Sequence, residues 1–529
     1  MPNRILLVTL NAKYMHASLG LRYLLANMGR YGGGDLATCT SLHEFTIHSP
    51  APTIAANLLA ECVPCDAQGV HIIGFGIYIW NVEQSLAVLR LLRQQRPDIR
   101  LVLGGPEVSH EWEQQAIVAE ADYLITGWGD VSFPRLCRAL IHGPRPLMKV
   151  IPGEQAPLAE LDFPYDYYTP DDLAHRVLYV EASRGCPFKC AFCLSALDKT
   201  AWAFELEPFL AHLQSLFARG ARTFKFVDRT FNLKVDASTR ILEFFLDLIA
   251  RYPRDPLFVH FELIPDHLPD SLKACVARFP PGSLQFEIGI QSLNPQVQKV
   301  IARRQDSDKT RANIDWLVTF SQAHLHTDLI FGLPGETWES FAMGFDTLWS
   351  WKPHEIQLGL LKRLRGTPLA LTAGAAMVFQ VTPPYAVVQT DALSPEEVLA
   401  FTRLARYWDL IANSGRFPAS LPLLLGGNSA FAGFADFAAW LWKKAERTSG
   451  ITPEALVDAL YAYLTEVRAI PAPVVHAALL SDYRGSGARA KPLALQSDLT
   501  RAKKAQSTIA ESSMRHSVRQ RRHLAALDP

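Results

Sequence analysis

The sequence predicts an α/β chain: a doubly wound parallel sheet, then a partial TIM-like barrel of six βα units, then a helical C-terminal domain. Three observations carry this. Short apolar, β-rich runs alternate with helical periods over the first 150 residues and again from residue 178 to 361. Glycine turns close several of those runs, as at Gly104-Gly105 and Gly127-Trp128-Gly129. From about residue 391 to 480 the period is predominantly helical. Apolar strands alternating with helices imply parallel sheets covered on both faces, with ligands beyond the carboxyl ends of the strands.

Taken in order, the first alternation predicts strands over Ile5–Leu10, Val70–Tyr78, Ile99–Leu103 and Tyr123–Thr126, with helices over Leu19–Met28 and Val82–Gln95. A proline-bearing stretch, 144–175, shows no long period and reads as a connector. The second alternation predicts strands over Leu178–Glu181, Thr223–Val227, Phe258–Leu263, Leu284–Ile290, Thr327–Phe331 and Ile356–Leu361. Six such units fit a partial barrel better than a closed one of eight. Helices follow over Pro395–Ser414 and Pro453–Val467. The expected domains are therefore 1–145, a linker 146–175, a barrel 176–375, a helical domain 376–483 and a basic tail 484–529.

The chain has 529 residues, too many for one ordinary core. Its 49% hydrophobic and 20% charged residues exclude wholesale disorder. With 52 basic and 52 acidic side chains, the surface as a whole is not built to hold nucleic acid or anionic membrane. No apolar run approaches the roughly 20 residues that span a bilayer. The apolar start runs into Asn11, Lys13 and His16 with no small-residue cleavage pattern, so it reads as a strand rather than a signal core. A cytoplasmic location is the default expectation. The tail carries Arg501, Lys503, Lys504, Arg515, Arg519, Arg521 and Arg522 against few acids. It reads as a solvated segment, with contact to RNA or another anionic partner as the sharper alternative.

Eight cysteines are too few for a disulfide scaffold, and three of them, Cys186, Cys190 and Cys193, fall within eight positions. Their spacing is C-x3-C-x2-C, directly after the first barrel strand. Three thiolates on one tight loop suit three irons of a cubane cluster and leave the fourth iron open. A structural zinc site would want a fourth Cys or His at recognisable spacing, and none follows closely. Cys62-Val-Pro-Cys65 lies before a strand rather than on a strand-to-helix turn, which speaks against a thioredoxin-type role. Cys39, Cys137 and Cys275 read as small core residues.

The loop Glu181-Ala-Ser-Arg-Gly-Cys186-Pro-Phe-Lys-Cys190-Ala-Phe192-Cys193, placed after the first strand of a six-unit barrel, resembles the radical S-adenosylmethionine (SAM) superfamily. The resemblance implies that Cys186, Cys190 and Cys193 hold a [4Fe-4S] cluster whose open iron binds SAM, with Phe192 beside the last ligand. Reduction would then cleave SAM to methionine and a 5′-deoxyadenosyl radical. It further implies cofactor contacts from Asp228 and Asn232 after the second strand, Glu287, Gln291 and Ser292 at the fourth, and Gly332 at the fifth. The glycine-glycine-glutamate run frequent in the family at the second strand is absent.

The first half sharpens the subfamily. Gly74-Phe-Gly76-Ile-Tyr78, Gly104-Gly105-Pro106 and Gly127-Trp128-Gly129-Asp130 resemble the cobalamin-binding domain that precedes many radical SAM barrels. The resemblance implies that Gly74, Tyr78, Gly104, Gly105, Pro106, Gly127 and Gly129 lie against the corrin. Two departures stand out. Trp128 and Asp130 replace the acids of the usual Gly-Glu-Gly-Glu turn. The Asp-x-His-x-x-Gly element of other cobalamin folds is missing, and His16 and Gly20 sit one residue too far apart to supply it. A site with no protein ligand to cobalt, or one from another residue, is the expectation. The regions Tyr407–Leu410 and Asn413–Phe417 resemble the C-terminal domain of unknown function in one cobalamin-binding radical SAM group.

The implied activity is methylation of an unactivated carbon or phosphorus, using a [4Fe-4S] cluster, SAM and cobalamin. Its partners would be a small-molecule or peptide substrate and an electron donor such as flavodoxin or ferredoxin, with no membrane. Nucleic acid stays open only for the basic tail. Radical rearrangement or cyclisation without methyl transfer is the alternative, followed by methylthio transfer to tRNA. Against the latter, no extra cysteine triad or C-terminal RNA-binding barrel is evident. A non-catalytic cobalamin or cluster sensor fits least.

Overall fold

Seven consecutive buried side chains, Ile5 to Asn11, make strand β1 (Arg4–Asn11) the centre of the first sheet. The computed structural model describes residues 3–62, 69–198, 200–374, 376–486 and 491–496. Cys65 and most of the expected basic tail lie outside the described residues. By contacts the chain forms two units. One comprises 1–229 with 362–373 and 380–386, and the other 230–361 with 374–379 and 387–529.

In the first unit, β1 is joined by β2 (Thr40–Thr46), β3 (His71–Gly76), β4 (Arg100–Gly104), β5 (Tyr123–Thr126) and β6 (Val150–Pro152), in the order β2-β1-β3-β4-β5-β6. Every neighbouring pair is parallel. This is the flavodoxin-like doubly wound order, which places a ligand crevice where strand order reverses, beside β1 and β3. Two apolar clusters cover the two faces. Leu6, Val8, Ile73 and Phe75 pack one way, and Ile5, Leu7, Ile72 and Val102 the other. Two of these strands have no counterpart among the sequence expectations. All seven residues of β2 are half-buried at the sheet edge, so Ser41-Leu-His-Glu carries no apolar run. β6 hides in the proline-bearing connector, which also forms a short helix, Pro170–His175, with a capping box from Thr169 and Asp172.

The second set of strands is divided between the units: β7 (Leu178–Val180) pairs in parallel with β8 (Thr223–Phe226) in the first, and β9 (Phe258–Leu263), β10 (Leu284–Gln291), β11 (His324–Phe331) and β12 (Glu355–Leu360) run in the order β12-β11-β10-β9 in the second. The order is open, as expected of a partial barrel. Strands β7 and β8 belong to the first unit. In the second unit, β9 to β12 are parallel neighbours.

Helices Pro395–Ile411, Ala430–Ala445, Pro453–Ala462 and Ala472–Gly485 complete that unit. They dock on aromatic rings: Phe401 stacks on Phe331 at 4.0 Å, and Trp408 meets Phe345 edge-on at 4.9 Å. Trp408 Nε1 and Asn413 Nδ2 both donate to the Ile356 carbonyl, and Asn413 Oδ1 accepts from the Ile356 amide. The two motifs that set the C-terminal region apart in the sequence therefore clasp the barrel edge. Among the described residues no helix is long and apolar enough to cross a membrane.

Candidate functional site

The three cysteines sit on a loop that tight backbone bonds define. The Cys186 amide donates to Asp198 O at 2.9 Å, and the Cys193 amide to Cys190 O at 3.1 Å. Cys186 and Cys190 are buried, whereas Cys193 and Phe192 are half-buried. Gly185 precedes them at φ 94°, where a Cβ would press on Thr200 Oγ1 and the Ala201 amide, so the turn into the loop requires glycine. Burial raises the Cys186 thiol, opposed by the Phe188 amide. Among the described residues no three His, Cys, Asp or Glu side chains are placed to hold a single metal ion.

Asp228, expected as a cofactor contact, braces the base of this loop. Its carboxylate accepts from the Ala182 amide at 3.0 Å and from Ser183 Oγ at 2.5 Å. Burial pushes its pKa to about 7, against the pull of the Ser183 and Ala182 hydrogen bonds. Asp228 thus holds the strand end from which the cysteine loop departs.

Beyond the carboxyl ends of β1, β3, β4 and β5 lies a cavity of about 290 Å3. Of the residues expected against a corrin, Gly74, Tyr78, Gly104, Gly105, Gly127 and Gly129 line it, while Pro106 does not. The glycines serve different ends. A Cβ at Gly127 would meet no protein atom within 4 Å, and its φ of 71° is what favours glycine there. At Gly74 a Cβ would strike the Phe133 ring at 2.6 Å, and at Gly105 it would collide with the Ile77 backbone. Those two are required by packing within the protein. Gly104, Gly127 and Gly129 bring the backbone to the cavity wall, as a large flat ligand lying close to the main chain would require. Among the described residues no histidine, cysteine or methionine lines the cavity. His16 is not among its lining residues, and its Nδ1 is 2.7 Å from the Tyr179 hydroxyl.

Two residues of the cysteine-loop segment, Glu181 and Arg184, also line this cavity. The cavity and the loop, both within the first unit, share a wall.

Sequence reasoning missed a strap formed by 362–373 and 380–386, which packs within the first unit. Arg365 Nε donates to Glu107 Oε1 at 2.9 Å, the Tyr385 hydroxyl to the same oxygen at 3.0 Å, and Arg363 to Glu111 at 2.8 Å. The Leu369 amide donates to Ala191 O inside the cysteine loop at 2.8 Å. Arg363-Leu-Arg365-Gly366-Thr367-Pro368, a basic pair before a turn, was the available signal.

The remaining expected contacts lie in the second unit. Asn232 is fully buried and committed to the loop after β9: its Nδ2 donates to Ile264 O and His267 O, and its Oδ1 accepts from the Ile264 amide. Glu287 Oε2 is 3.2 Å from His260 Nε2. Gln291 adopts φ 71°, an uncommon conformation for a non-glycine residue, where the β10–β11 register shifts. At Gly332, φ is 90° and a Cβ would press on the Val387 side chain at 2.6 Å, so packing alone demands glycine there.

Ser292 Oγ donates to Glu336 Oε1 at 2.6 Å, tying the turns after β10 and β11. Burial lifts Glu336 to about 7, opposed by Ser292 and Ser340. The folded chain therefore keeps this proton up to about 7, whereas an exposed glutamate releases it near 4.5. Within that window the native state binds more protons, so its stability falls as pH rises and levels off above it. Glu336→Gln should flatten this arm, seen as a smaller difference between urea midpoints at about pH 5 and about pH 8.

Three family models match the chain in succession: the B12 binding domain over residues 5–137, the radical SAM superfamily over 180–348, and a protein of unknown function, DUF4080, over 376–525. "Uncharacterized methyltransferase PH0819" of Pyrococcus horikoshii is 25% identical over 283 residues, covering 48% of this chain and 59% of that protein. A tRNA-2-methylthio-N(6)-dimethylallyladenosine synthase of Acinetobacter baumannii is 24% identical over 275 residues, covering 50% of this chain and 56% of its own. The chain thus spans little more than half the length of these curated relatives. Among solved structures, the cobalamin-dependent SAM radical enzyme OxsB, with aqua-cobalamin and SAM bound, shares the fold. It has a TM-score of 0.60 at 13% identity, over 99% of this chain and 83% of that one. The chain therefore carries a radical SAM domain, with a B12-binding domain ahead of it and the DUF4080 domain behind it.

Proposed function

We propose that this protein is a cobalamin-dependent radical SAM methyltransferase acting on an unactivated carbon or phosphorus of a small-molecule or peptide substrate. The observation that carries the reading is the shared wall: Glu181 and Arg184, from the segment leading into the cysteine loop, also line the glycine-floored cavity. A protein that must use a cluster and a corrin in one reaction needs those two sites adjacent and fixed.

In this reading Cys186, Cys190 and Cys193 hold the cluster, and Gly74, Tyr78, Gly104, Gly105, Gly127 and Gly129 line the corrin site. Bound together, the cluster, SAM and cobalamin supply radical generation and methyl transfer, chemistry that amino-acid side chains lack. The chain's own residues orient and enclose. Asp228 fixes the strand end before the loop through Ala182 and Ser183, and Leu369 holds the middle of the loop through Ala191. Phe192, Glu287, Gln291 and Ser292 are the further SAM contacts this reading assigns. A reducing partner of the flavodoxin or ferredoxin class and a cytoplasmic setting belong to the same proposal.

The test is anaerobic reconstitution with iron, sulfide and hydroxocobalamin, followed by turnover with SAM carrying a labelled methyl group. S-Adenosylhomocysteine and 5′-deoxyadenosine both accumulate, and label enters the product, if the protein is a methylase. 5′-Deoxyadenosine alone would assign it to radical rearrangement. Because no imidazole lines the cavity, His16→Ala is expected to leave the visible spectrum of the bound corrinoid unchanged. A shifted cobalt band in that variant would make His16 a ligand.

A further inference from the structure

We propose that Arg184 is a positioning residue that couples occupancy of the glycine-floored cavity to the conformation of the cysteine loop. The proposal rests on the assignment of that cavity to a corrinoid and of the loop to a cluster. Arg184 stands two residues before Cys186, on a two-residue ribbon in which it pairs with Trp202. Its Nη1 donates to Asp130 Oδ2 at 2.9 Å, and its Nε and Nη2 donate to Glu181 Oε1 at 3.1 and 2.7 Å. The guanidinium carbon also lies 4.7 Å from the ring centroids of both Tyr23 and Trp128.

The side chains of Asp130 and Glu181 are themselves only 8% and 9% exposed. Charge-assisted bonds to two buried carboxylates, with aromatic rings close by, hold a guanidinium in one geometry.

The cage is also the cavity wall. Tyr23, Trp128, Asp130, Glu181 and Arg184 all line the cavity. A second route runs beside the first. Trp128 Nε1 donates to Asp198 Oδ2 at 3.1 Å, and Asp198 O accepts the Cys186 amide. A ligand that presses on Trp128 or Asp130 therefore bears on groups that hold the chain immediately before and at Cys186. The turn that departs from the family pattern, Trp128 and Asp130 in place of two glutamates, supplies both contacts. One carboxylate stays for Arg184, and an indole adds a ring face and a donor.

Such coupling is reciprocal: if the cluster changes corrinoid affinity, the corrinoid changes the affinity of the loop for the cluster by the same factor. The experiment measures hydroxocobalamin affinity of the full chain, by anaerobic absorbance titration, before and after cluster reconstitution. For the wild type, the two dissociation constants should differ by about five-fold or more. The electron paramagnetic resonance signal of the reduced cluster should also shift on adding the corrinoid. In Arg184→Met the ratio should fall to about one and the spectral shift should vanish. Arg184→Lys, which keeps the charge, should recover part of both. Asp130→Asn loosens the cage from the cavity side with no substitution in the loop segment, and should lower the ratio even if Arg184→Met fails to assemble a cluster.

A wild-type ratio of one, or a ratio that survives both Arg184→Met and Asp130→Asn, would overturn the proposal while leaving the enzyme assignment intact. A wild type that takes up no corrinoid or no cluster would overturn the assignment itself, and this inference with it.

Discussion

Replacing Cys186, Cys190 and Cys193 together with alanine should take iron and sulfide from one full cluster per chain to background and abolish reductive SAM cleavage. The loop offers these three thiols as its only soft ligands, and an alanine methyl binds no iron. The change should leave the backbone in place. The bonds that shape the loop run from the Cys186 and Cys193 amides, which alanine retains, and the brace at Asp228 touches Ala182 and Ser183. Circular dichroism and melting of the variant should therefore resemble those of the cluster-free wild type, separating loss of ligands from loss of fold. Iron and sulfide analysis, resonance of the reduced protein and chromatography of 5′-deoxyadenosine make the comparison. A wild type with no cluster signal would sink the reading, and a signal that persists in the triple variant would place the cluster on other residues.

The second large effect concerns stability. Arg22 is 1% exposed, in the helix that follows β1, and its Nη2 is 2.8 Å from both Glu44 Oε2 and Asp172 Oδ2. Arg176 adds a second cation, 2.8 Å from Glu44. Two cations and two carboxylates thus balance where water is scarce, and the Ser18 and Thr169 amides supply further donors. Burial alone would raise the Asp172 carboxyl, but Arg22 and Thr169 outweigh it and hold it below the usual range. Arg22→Met leaves two buried acids with one cation between them. Breaking one partner out of a buried ion pair costs about 3–5 kcal/mol, which should appear as a lowered urea midpoint for the unfolding of the first unit. A loss below about 1 kcal/mol, typical of an exposed pair, would show that the cluster is better hydrated than its burial implies.

What the sequence disclosed follows the range of the interactions involved. Strands such as Phe258–Leu263 and Tyr123–Thr126 were readable to the residue, since an apolar run bounded by turn residues is a local signal. The edge strand Thr40–Thr46 was not, because half-exposed positions tolerate the polar mixture that loops also show. The cysteine loop stood out because its three thiols are neighbours in sequence. The cage around Arg184 joins residues 54 positions apart, and Glu107 meets Arg365 across 258, so neither leaves a spacing to recognise. Asn232 shows the converse. A polar residue after a barrel strand reads equally well as a ligand contact or as a loop clasp, and its amide is occupied with Ile264 and His267. At Gly332 and Gly105 the missing side chains make room for protein atoms, so a glycine turn read in sequence does not by itself distinguish packing from ligand contact.

The Asp172 link bears on how such a chain can be divided. The first sheet gains its last strand at Val150–Pro152, Asn27 is bonded to the backbone of Asp162, and Arg22 reaches Asp172, six residues before β7 begins. Residues 150–172 therefore belong with the first fold rather than with a free connector. A gene fusion joined near residue 145 would discard a strand and strand two buried charges without their partners. A fragment meant to keep the first sheet whole should therefore run through Arg176, since its buried ion pairs and last strand lie past residue 145.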